Sequence, residues 1–352
     1  MAYPGVMDDI KKCIALQIPK RLPIIALSEE FDVRMANETY SNFDSHPDIM
    51  AKVIMETVKR FDYDWAWLQV DDCIVYEILG VGCIGGGNIL RATKDYLPAT
   101  SETLRSLKIP DFKNDGRAPI LLEAISKVRS KLGNTVCVCG RTEAPFSSAS
   151  LLYGLSQTMF LIYDNPKLLK DTCEFFIDLQ IEFGRVQKEA GAHALWFGDC
   201  NASSHFLSLD HYQKFALPYA NQVAKAYKEM GLITFYHASE DKLPYIELMA
   251  DMDIDILSVG ENANLVAAYN LVGNKKCLCG NVDPIRTLQR GTPEDVEREV
   301  KKIIDTVSRR GGHIMNSGEM IPRDTPEENM LAYMSAGRNF WKEGQNRLQP
   351  EP

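Results

Sequence analysis

The sequence predicts an α/β protein folded as a single (β/α)8 barrel, and three features of its 352 residues lead to that fold. Eight short apolar runs recur along the chain, and helical sequence follows each of them. Most of these runs end in a carboxylate, an amide or a histidine, as expected where strands open onto an active site. A leading helical stretch and one long excursion are added to this repeating pattern.

The first half of the chain supplies four of the predicted strands. Residues 1–20 form a short leading helix in this interpretation, and residues 46–61 have helical periodicity. The long excursion at 80–130 is predicted to be a cap or lid, because a segment of that length is rarely plain filler. The strands lie at 22–29, 65–72, 135–143 and 193–200.

The second half alternates strands and helices more regularly. Its first strand, Leu232–Glu240, has four apolar or aromatic residues in its first five positions and then stops at His237 and Glu240. A buried strand that ends in these groups brings proton-handling or metal-binding side chains to the edge of the sheet. The other strands lie at 255–261, 276–284 and 313–319, so the predicted domain spans residues 1–352.

Composition excludes several functions. A formal charge of −9 and a pI near 5.3 argue against a nucleic-acid partner, which needs a basic surface. No apolar run approaches the ~18 residues of a membrane span, and the first residues lack a signal peptide's apolar stretch. We therefore expect no membrane association, a cytoplasmic location and reduced cysteines.

Two C-x-C pairs, Cys137/Cys139 and Cys277/Cys279, lie in apolar runs, so the two side chains of each pair share one face of a strand. Buried packing is favoured over zinc binding, because the C-x₂-C spacing of zinc knuckles is absent.

The strand ends supply the candidate functional residues. Some of these groups can instead cap the next helix. His237 and Glu319 do not directly precede a helix, so they are the stronger candidates. The full set is Asp71, Glu143, Asp199, His237, Glu261, Asn281 and Glu319.

Several longer motifs resemble the uroporphyrinogen decarboxylase superfamily, and within it the corrinoid-dependent methyltransferases. The resemblance covers residues 20–340 and rests on GRTEAPFSSASLLYG, Phe-Ala-Leu-Pro-Tyr at 215–219, GNVDPIRTLQRGTPEDV and GHIMNSGEMIPRDTPEEN. It implies a TIM-type barrel with its active site at the carboxyl ends of the strands. The decarboxylases grip substrate carboxylates with paired arginines, which the matching stretch IIALSEEFDVRMANETY lacks. A smaller substrate than a tetrapyrrole is therefore expected.

The thiol-methylating members of the superfamily hold zinc with a His-x-Cys after strand five and a Cys after strand eight. In this chain His237 is retained, whereas Ser239 and Glu319 occupy the two cysteine positions. Glu261 matches an acidic residue near the metal in those enzymes, and Glu240 is an additional candidate. The resemblance thus implies a zinc site that includes His237, Glu261 and Glu319, and Glu240 is added to it as a candidate ligand because it is next to this group in the sequence; a metal-free site with a protonated Glu remains an alternative.

Replacing thiolates by carboxylates makes such a site harder, which suits an oxygen-bearing substrate. The predicted reaction is O-demethylation: a methyl group moves from an aryl methyl ether of guaiacol, veratrole or vanillate type to Co(I) of a corrinoid protein, as in anaerobic bacteria. His237, Glu319, Asp199 and Glu143 are the predicted catalytic residues. The predicted substrate-binding residues are Asp71, Asn281, Tyr236, Trp196, Phe197 and Phe146.

The corrinoid must come from a separate protein, because no corrinoid-binding segment is visible in the sequence. A homodimer is common among similar proteins and is a further expectation. Two alternative functions stay open: methyl transfer from a methylated corrinoid protein to a thiol or other acceptor, and a barrel that binds without catalysis.

Overall fold

A computed structural model describes residues 3–348, with side chains described up to residue 344. The ends of the predicted domain, residues 1–2 and 349–352, lie outside the described residues. Seven parallel strands form a curled sheet in the order β1-β4-β5-β6-β7-β8-β9, and β2 and β3 form a separate antiparallel hairpin. The strands are β1 (Trp65–Trp67), β2 (Cys83–Gly86), β3 (Ile89–Thr93), β4 (Cys137–Glu143), β5 (Ala194–Gly198), β6 (Ile233–His237), β7 (Ile256–Ser258), β8 (Cys277–Cys279) and β9 (His313–Ile314).

Helices surround this sheet, and the predicted α/β barrel is confirmed. Short 3₁₀ turns occur at Cys200–Ala202 and Ser308–Arg310, and π-helical turns at Tyr212–Ala216 and Pro284–Gln289. The α-helices are α1 (Val6–Ile14), α2 (Glu29–Met35), α3 (Tyr40–Phe43), α4 (Pro47–Phe61), α5 (Ile74–Ile78), α6 (Ser101–Ser106), α7 (Ala118–Leu132), α8 (Pro145–Tyr153), α9 (Leu155–Asp164), α10 (Pro166–Ala190), α11 (Leu209–His211), α12 (Leu217–Glu229), α13 (Leu243–Ala250), α14 (Leu265–Val272), α15 (Pro293–Thr306) and α16 (Glu327–Leu348).

The predicted first strand, 22–29, closes the barrel without forming a regular strand. Met315 N–H donates to the Pro23 carbonyl at 3.0 Å, and Asp64 N–H donates to the Ile24 carbonyl at 3.0 Å, so the segment lies between β9 and β1. Pro23 has no N–H, and the Ile24 N–H donates to the Asp64 carboxylate at 2.7 Å. These two features prevent a continuous ladder, which corrects the prediction of eight regular strands.

The excursion at 80–130 divides into two parts. Its first part contains the β2–β3 hairpin and α6, and the lid function predicted for it stays a prediction. Its second part is α7, which packs against α4 and α10 in the outer helical layer. Residues 118–132 therefore form a barrel helix and not part of a cap.

The barrel interior is aromatic and tightly packed. Trp65 and Trp67 stack at 5.4 Å between ring centroids, and both contact Trp196, which also stacks on Phe235. The cysteines of both C-x-C pairs are fully buried free thiols. Complete burial of all four thiols in the sheet is what the packing interpretation predicts. No helix among residues 3–348 is both long and apolar enough to cross a membrane.

Two strand glycines should differ in their response to an added methyl group. A Cβ at Gly140 would lie 2.1 Å from Gln187 Oε1, and hydrogen bonds to both backbone groups of Arg141 hold that amide in place. A Cβ at Gly198 meets nothing within 4 Å. Gly140→Ala should lower the free energy of unfolding by about 1–3 kcal/mol in denaturant titration, because the strand is overpacked. Gly198→Ala is the matched control and should change it little; equal effects would contradict this packing.

Candidate active site

His237 ends β6 and points into the barrel mouth. Its ring lies 4.9 Å from the Trp196 ring, measured between centroids. The Nδ1 atom hydrogen-bonds with Ser258 Oγ at 2.9 Å, which fixes the orientation of the imidazole and leaves Nε2 directed at Glu319. The distance from Nε2 to Glu319 Oε2 is 3.3 Å. The structure therefore brings together the two residues that the sequence marked as the stronger candidates.

Glu319 and Ser239 complete one side of this group. Glu319 follows β9; its Oε1 accepts the Met320 N–H at 2.9 Å and its Oε2 accepts the Ser239 hydroxyl. Ser239 also lies 3.1 Å from His237 Nε2, and its backbone has a φ of +50°. About a third of the Glu319 side chain, 33%, is exposed, so one side of the group is open at the barrel mouth.

Cys200 was not predicted and is the third member of the group. It starts the 3₁₀ turn directly after β5, and its sulfur, an imidazole nitrogen of His237 and a Glu319 carboxylate oxygen all lie within 4.8 Å of one another. A thiolate, an imidazole and a carboxylate are all zinc ligands, and three protein ligands are typical of a catalytic zinc site. The Ser258 bond that orients His237 is the kind of support that metal-bound histidines have. These residues therefore fit a zinc ion.

The charges of His237 and Glu319 depend on each other. Burial opposes a charge on the imidazole, but Glu319 and Cys200 overcome it and raise the pKa of His237 to about 10. Burial likewise opposes a charge on Glu319, yet His237, Ser239 and the Met320 N–H lower the pKa of this carboxyl to about 2. Without a metal, the two groups form an imidazolium–carboxylate pair at neutral pH.

Two predicted metal ligands do not join this group. Glu240 is fully buried, and its carboxylate accepts hydrogen bonds from Ser204 N, Ser204 Oγ, Asp241 N and Lys242 N at 2.7–3.0 Å. It organises the loop after β6 and has no free oxygen for a metal. Glu261 accepts from Asn262 Nδ2 at 2.8 Å and lines a separate surface groove that also includes Asn281. Compared with the predicted set of ligands, the candidate zinc site therefore lacks the carboxylates of Glu240 and Glu261 and includes the thiol of Cys200.

The Asp199 carboxylate holds the scaffold together and makes no hydrogen bond with the His237 imidazole; only the backbone N–H of Asp199 meets this residue, donating to the His237 carbonyl at 2.7 Å. Its Oδ1 accepts from both N and Oγ of Ser147 in the first turn of α8, and its Oδ2 accepts from Tyr236 Oη at 2.8 Å. Burial raises the pKa of Asp199 to about 6, against the effect of these hydrogen bonds. We therefore assign Asp199 to positioning β5 against α8, and not to catalysis.

Three of the four predicted ring-binding aromatic residues lie in the protein's packing layers. Phe197 and Tyr236 contact each other, and Phe197 packs on Tyr227 of α12, because both side chains point away from the lumen. Phe146 is fully buried in α8. Only Trp196 lies beside His237, and neighbouring Gly198 leaves open space on the same face of β5.

The remaining predicted residues hold the loops of the barrel mouth. Asp71 accepts two hydrogen bonds from Arg117, at 2.7 and 3.1 Å, and caps the backbone before α5. Asn281 donates to the carbonyls of Gly260 and Ala263. Glu143 pairs with Arg141 at 2.5 Å, and burial raises the pKa of Glu143 to about 7. None of these three side chains hydrogen-bonds with Cys200, His237 or Glu319.

The chain is similar to a known protein family, to individual members of that family and to solved structures. The family model described as uroporphyrinogen decarboxylase (URO-D) matches residues 7–340. The methylcobamide:CoM methyltransferase MtbA of Methanosarcina mazei is 27% identical and aligns over 95% of this chain and 97% of its own length. The uroporphyrinogen decarboxylase of Carboxydothermus hydrogenoformans is 26% identical over 80% of each chain. A solved methyltransferase structure from Methanosarcina mazei shares the fold, with a TM-score of 0.86 at 21% identity, and the alignment covers 96% of this chain and 99% of that one.

The charge pair can be tested in metal-free protein. In Glu319→Gln the pKa of His237 should fall well below about 10, because burial, which lowers the pKa of His313 to about 4, is then opposed by Cys200 alone. NMR titration of the imidazole signals measures this shift, with His313 as internal reference. Wild-type His237 should stay protonated from pH 6 to about 9. Titration of wild-type His237 near pH 6.5 would contradict the pairing.

The same shifts set a pH window for stability. Because the pKa of His237 is raised, its protonated form contributes its full stabilisation of the fold below pH 6.5, and this contribution is lost as the pH rises towards about 10. The lowered pKa of Glu319 stabilises it fully above 4.5, and that contribution is lost as the pH falls towards about 2. In metal-free protein the pair therefore contributes most between pH 4.5 and 6.5.

Proposed function

The chain belongs to the uroporphyrinogen decarboxylase family, and from that premise we propose that it is a corrinoid-dependent methyltransferase. The support is the full-length similarity to a methylcobamide:CoM methyltransferase, together with the His237 group at the barrel mouth. Arg34 is the one arginine between residues 22 and 40, and it donates a hydrogen bond to the Thr325 carbonyl. A clamp of paired arginines for substrate carboxylates is therefore missing, which argues against decarboxylation of a tetrapyrrole acid.

The specific reaction we propose is O-demethylation of an aryl methyl ether, with Co(I) of a separate corrinoid protein as the methyl acceptor. The bond between the methyl carbon and the ether oxygen breaks, its electron pair stays on oxygen, and the methyl carbon bonds to cobalt. A phenoxide is a poor leaving group, so a proton delivered to the oxygen assists the step. The observation that carries this proposal is the imidazolium–carboxylate pair of His237 and Glu319 beside the Trp196 ring.

Each nearby residue has a defined task in this mechanism. His237 donates the proton from Nε2, Ser258 holds the ring in the required orientation, and Glu319 stabilises the imidazolium before the transfer. Trp196 provides an aromatic surface for the substrate ring, and Gly198 leaves room above it. Cys200 and part of Glu319 are exposed, so the acceptor protein would approach from this side.

Cys200, His237 and Glu319 would hold a zinc ion, which supplies Lewis-acid chemistry at the ether oxygen in place of the proton.

The second candidate function, transfer of methyl from a methylated corrinoid protein to a thiol, is favoured by the same group. Cys200 supplies a sulfur ligand where the sequence had indicated only imidazole and carboxylates. The name of the Methanosarcina mazei relative describes a methyl transfer of that kind.

Two assays separate these reactions. Incubation with 2-methoxyphenol and free cob(I)alamin should yield catechol and methylcobalamin, followed by the cobalamin absorption spectrum. Incubation with methylcobalamin and 2-mercaptoethanesulfonate tests the thiol reaction. Demethylation without thiol methylation supports the proposal; thiol methylation alone supports the second candidate; turnover in neither assay favours a barrel that binds without catalysis.

Substitutions locate the activity in the described site. His237→Ala and Glu319→Gln should each lower kcat by about 100-fold or more, because they remove the proton donor or its partner. His46→Ala and Glu123→Gln are controls, since both side chains lie on the exposed surface away from the group. Unchanged turnover in both site variants would refute this assignment.

A further inference from the structure

Three buried polar groups near the barrel interior have no hydrogen-bond partner within the described chain. They are both carboxylate oxygens of Glu29, the indole nitrogen of Trp67 and the amide oxygen of Gln69. Glu29 is only 4% exposed and Gln69 only 3%. Leaving buried polar groups unpaired is costly, so groups of this kind usually occur where a ligand or water completes the hydrogen bonding.

These groups lie on two neighbouring segments. Glu29 begins α2 directly after the 23–27 segment, and the Trp65 indole N–H donates to the Ala26 carbonyl at 3.0 Å, which joins that segment to β1. Trp67 ends β1, and Gln69 continues the same side-chain alternation two residues later. All three unpaired groups therefore occur where the closing segment meets β1.

A continuous aromatic surface leads from this corner to the candidate active site. The Trp67 ring lies 5.8 Å from the Trp196 ring, and the Trp196 ring lies 4.9 Å from the His237 ring. An aromatic substrate lying on this surface, with its reacting oxygen at His237, would direct a ring substituent towards Trp67. The substituent would then meet the unpaired groups.

Among the described residues, this corner offers no free cation to an anionic substituent. Arg141 contacts the carboxylates of Asp72 and Glu143 directly, and Asp71 is paired with Arg117. Glu29 is buried without a hydrogen bond, and burial raises its pKa well above the usual value, which favours the neutral, protonated carboxyl group. A carboxylate or sulfonate on the substrate would therefore lose its hydration here without gaining a cationic partner.

We propose that Glu29, Gln69 and Trp67 form a subsite for a hydroxyl group on the substrate. A hydroxyl can donate a hydrogen bond to Glu29 or Gln69 and accept one from the Trp67 indole N–H, which an ammonium group cannot do. The inference rests on the proposed function, since it makes the preferred substrate a hydroxylated aryl methyl ether. It selects phenols over aromatic acids and over sulfonated thiols.

The position of Glu29 in the sequence strengthens this inference. It lies in the stretch IIALSEEFDVRMANETY, which matches the paired arginines of the decarboxylases. A binding element that is cationic for carboxylate substrates has here been replaced by a buried carboxyl group that carries no positive charge. The change in charge matches a change from acidic to hydroxylated ligands.

Equilibrium binding tests the subsite without any methyl transfer. Catechol and benzoate are neutral and anionic probes of similar size, and quenching of tryptophan fluorescence reports their binding next to Trp67 and Trp196. Wild-type protein should bind catechol at least about tenfold more tightly than benzoate. Glu29→Leu should reduce this preference about tenfold, since the buried carboxyl group that pairs with the catechol hydroxyl is lost. Trp67→Phe should weaken the binding of both probes, because each accepts from the indole N–H, and leave the preference between them in place.

The neighbouring residue provides a matched control. Glu30→Leu removes a half-buried carboxylate from the same helix and should leave the preference unchanged, and circular dichroism verifies the fold of each variant. Equal affinities in the wild type, or an unchanged preference in Glu29→Leu, would overturn the subsite. If the protein prefers catechol to benzoate as expected but no methyl transfer occurs, the proposed function fails while the subsite stands. If methyl transfer occurs without that preference, the subsite fails while the proposed function stands.

Discussion

The charge pair between His237 and Glu319 is the interaction on which the candidate site depends. An imidazolium packed against Trp196 is tolerated only beside an anion, and removal of either partner would leave a buried charge without compensation. Ser258 and Ser239 hold the two groups in place, and Cys200 adds a third ligand atom. The same three side chains can therefore carry either a proton or a zinc ion at the point where a substrate oxygen or sulfur would react.

Local patterns in the sequence were sufficient to predict most of the fold. Apolar runs followed by helical sequence located the barrel strands, since burial and periodicity act over a few residues. The closing segment at 22–29 was harder, because its irregularity depends on Pro23 and on a hydrogen bond from Ile24 to the distant Asp64 carboxylate. Helix α7 was assigned to a cap because nothing within its own sequence indicates that it packs on α4 and α10.

The candidate site was predicted in part. The expectation that active-site residues follow the carboxyl ends of the barrel strands identified His237 and Glu319. It does not indicate, however, in which direction adjacent side chains point. The twofold alternation of β-strands could have done so within β5: with Trp196 facing the lumen, Phe197 must face the helices. Cys200 could not have been placed in this way, because it lies beyond the strand in a 3₁₀ turn. Glu240 could not have been excluded in this way, because part of its hydrogen bonding comes from Ser204 in a different loop.

X-ray absorption at the zinc edge tests the central claim most directly, because it identifies the atoms around the metal in zinc-loaded protein. The predicted spectrum has one sulfur at ~2.3 Å and nitrogen or oxygen neighbours at ~2.0–2.2 Å. Cys200→Ser should remove the sulfur contribution, whereas Cys83→Ser, in the separate Cys73/Glu77/Cys83 group, should leave it intact. A spectrum without sulfur, or one that Cys200→Ser does not change, would contradict a zinc site made from Cys200, His237 and Glu319.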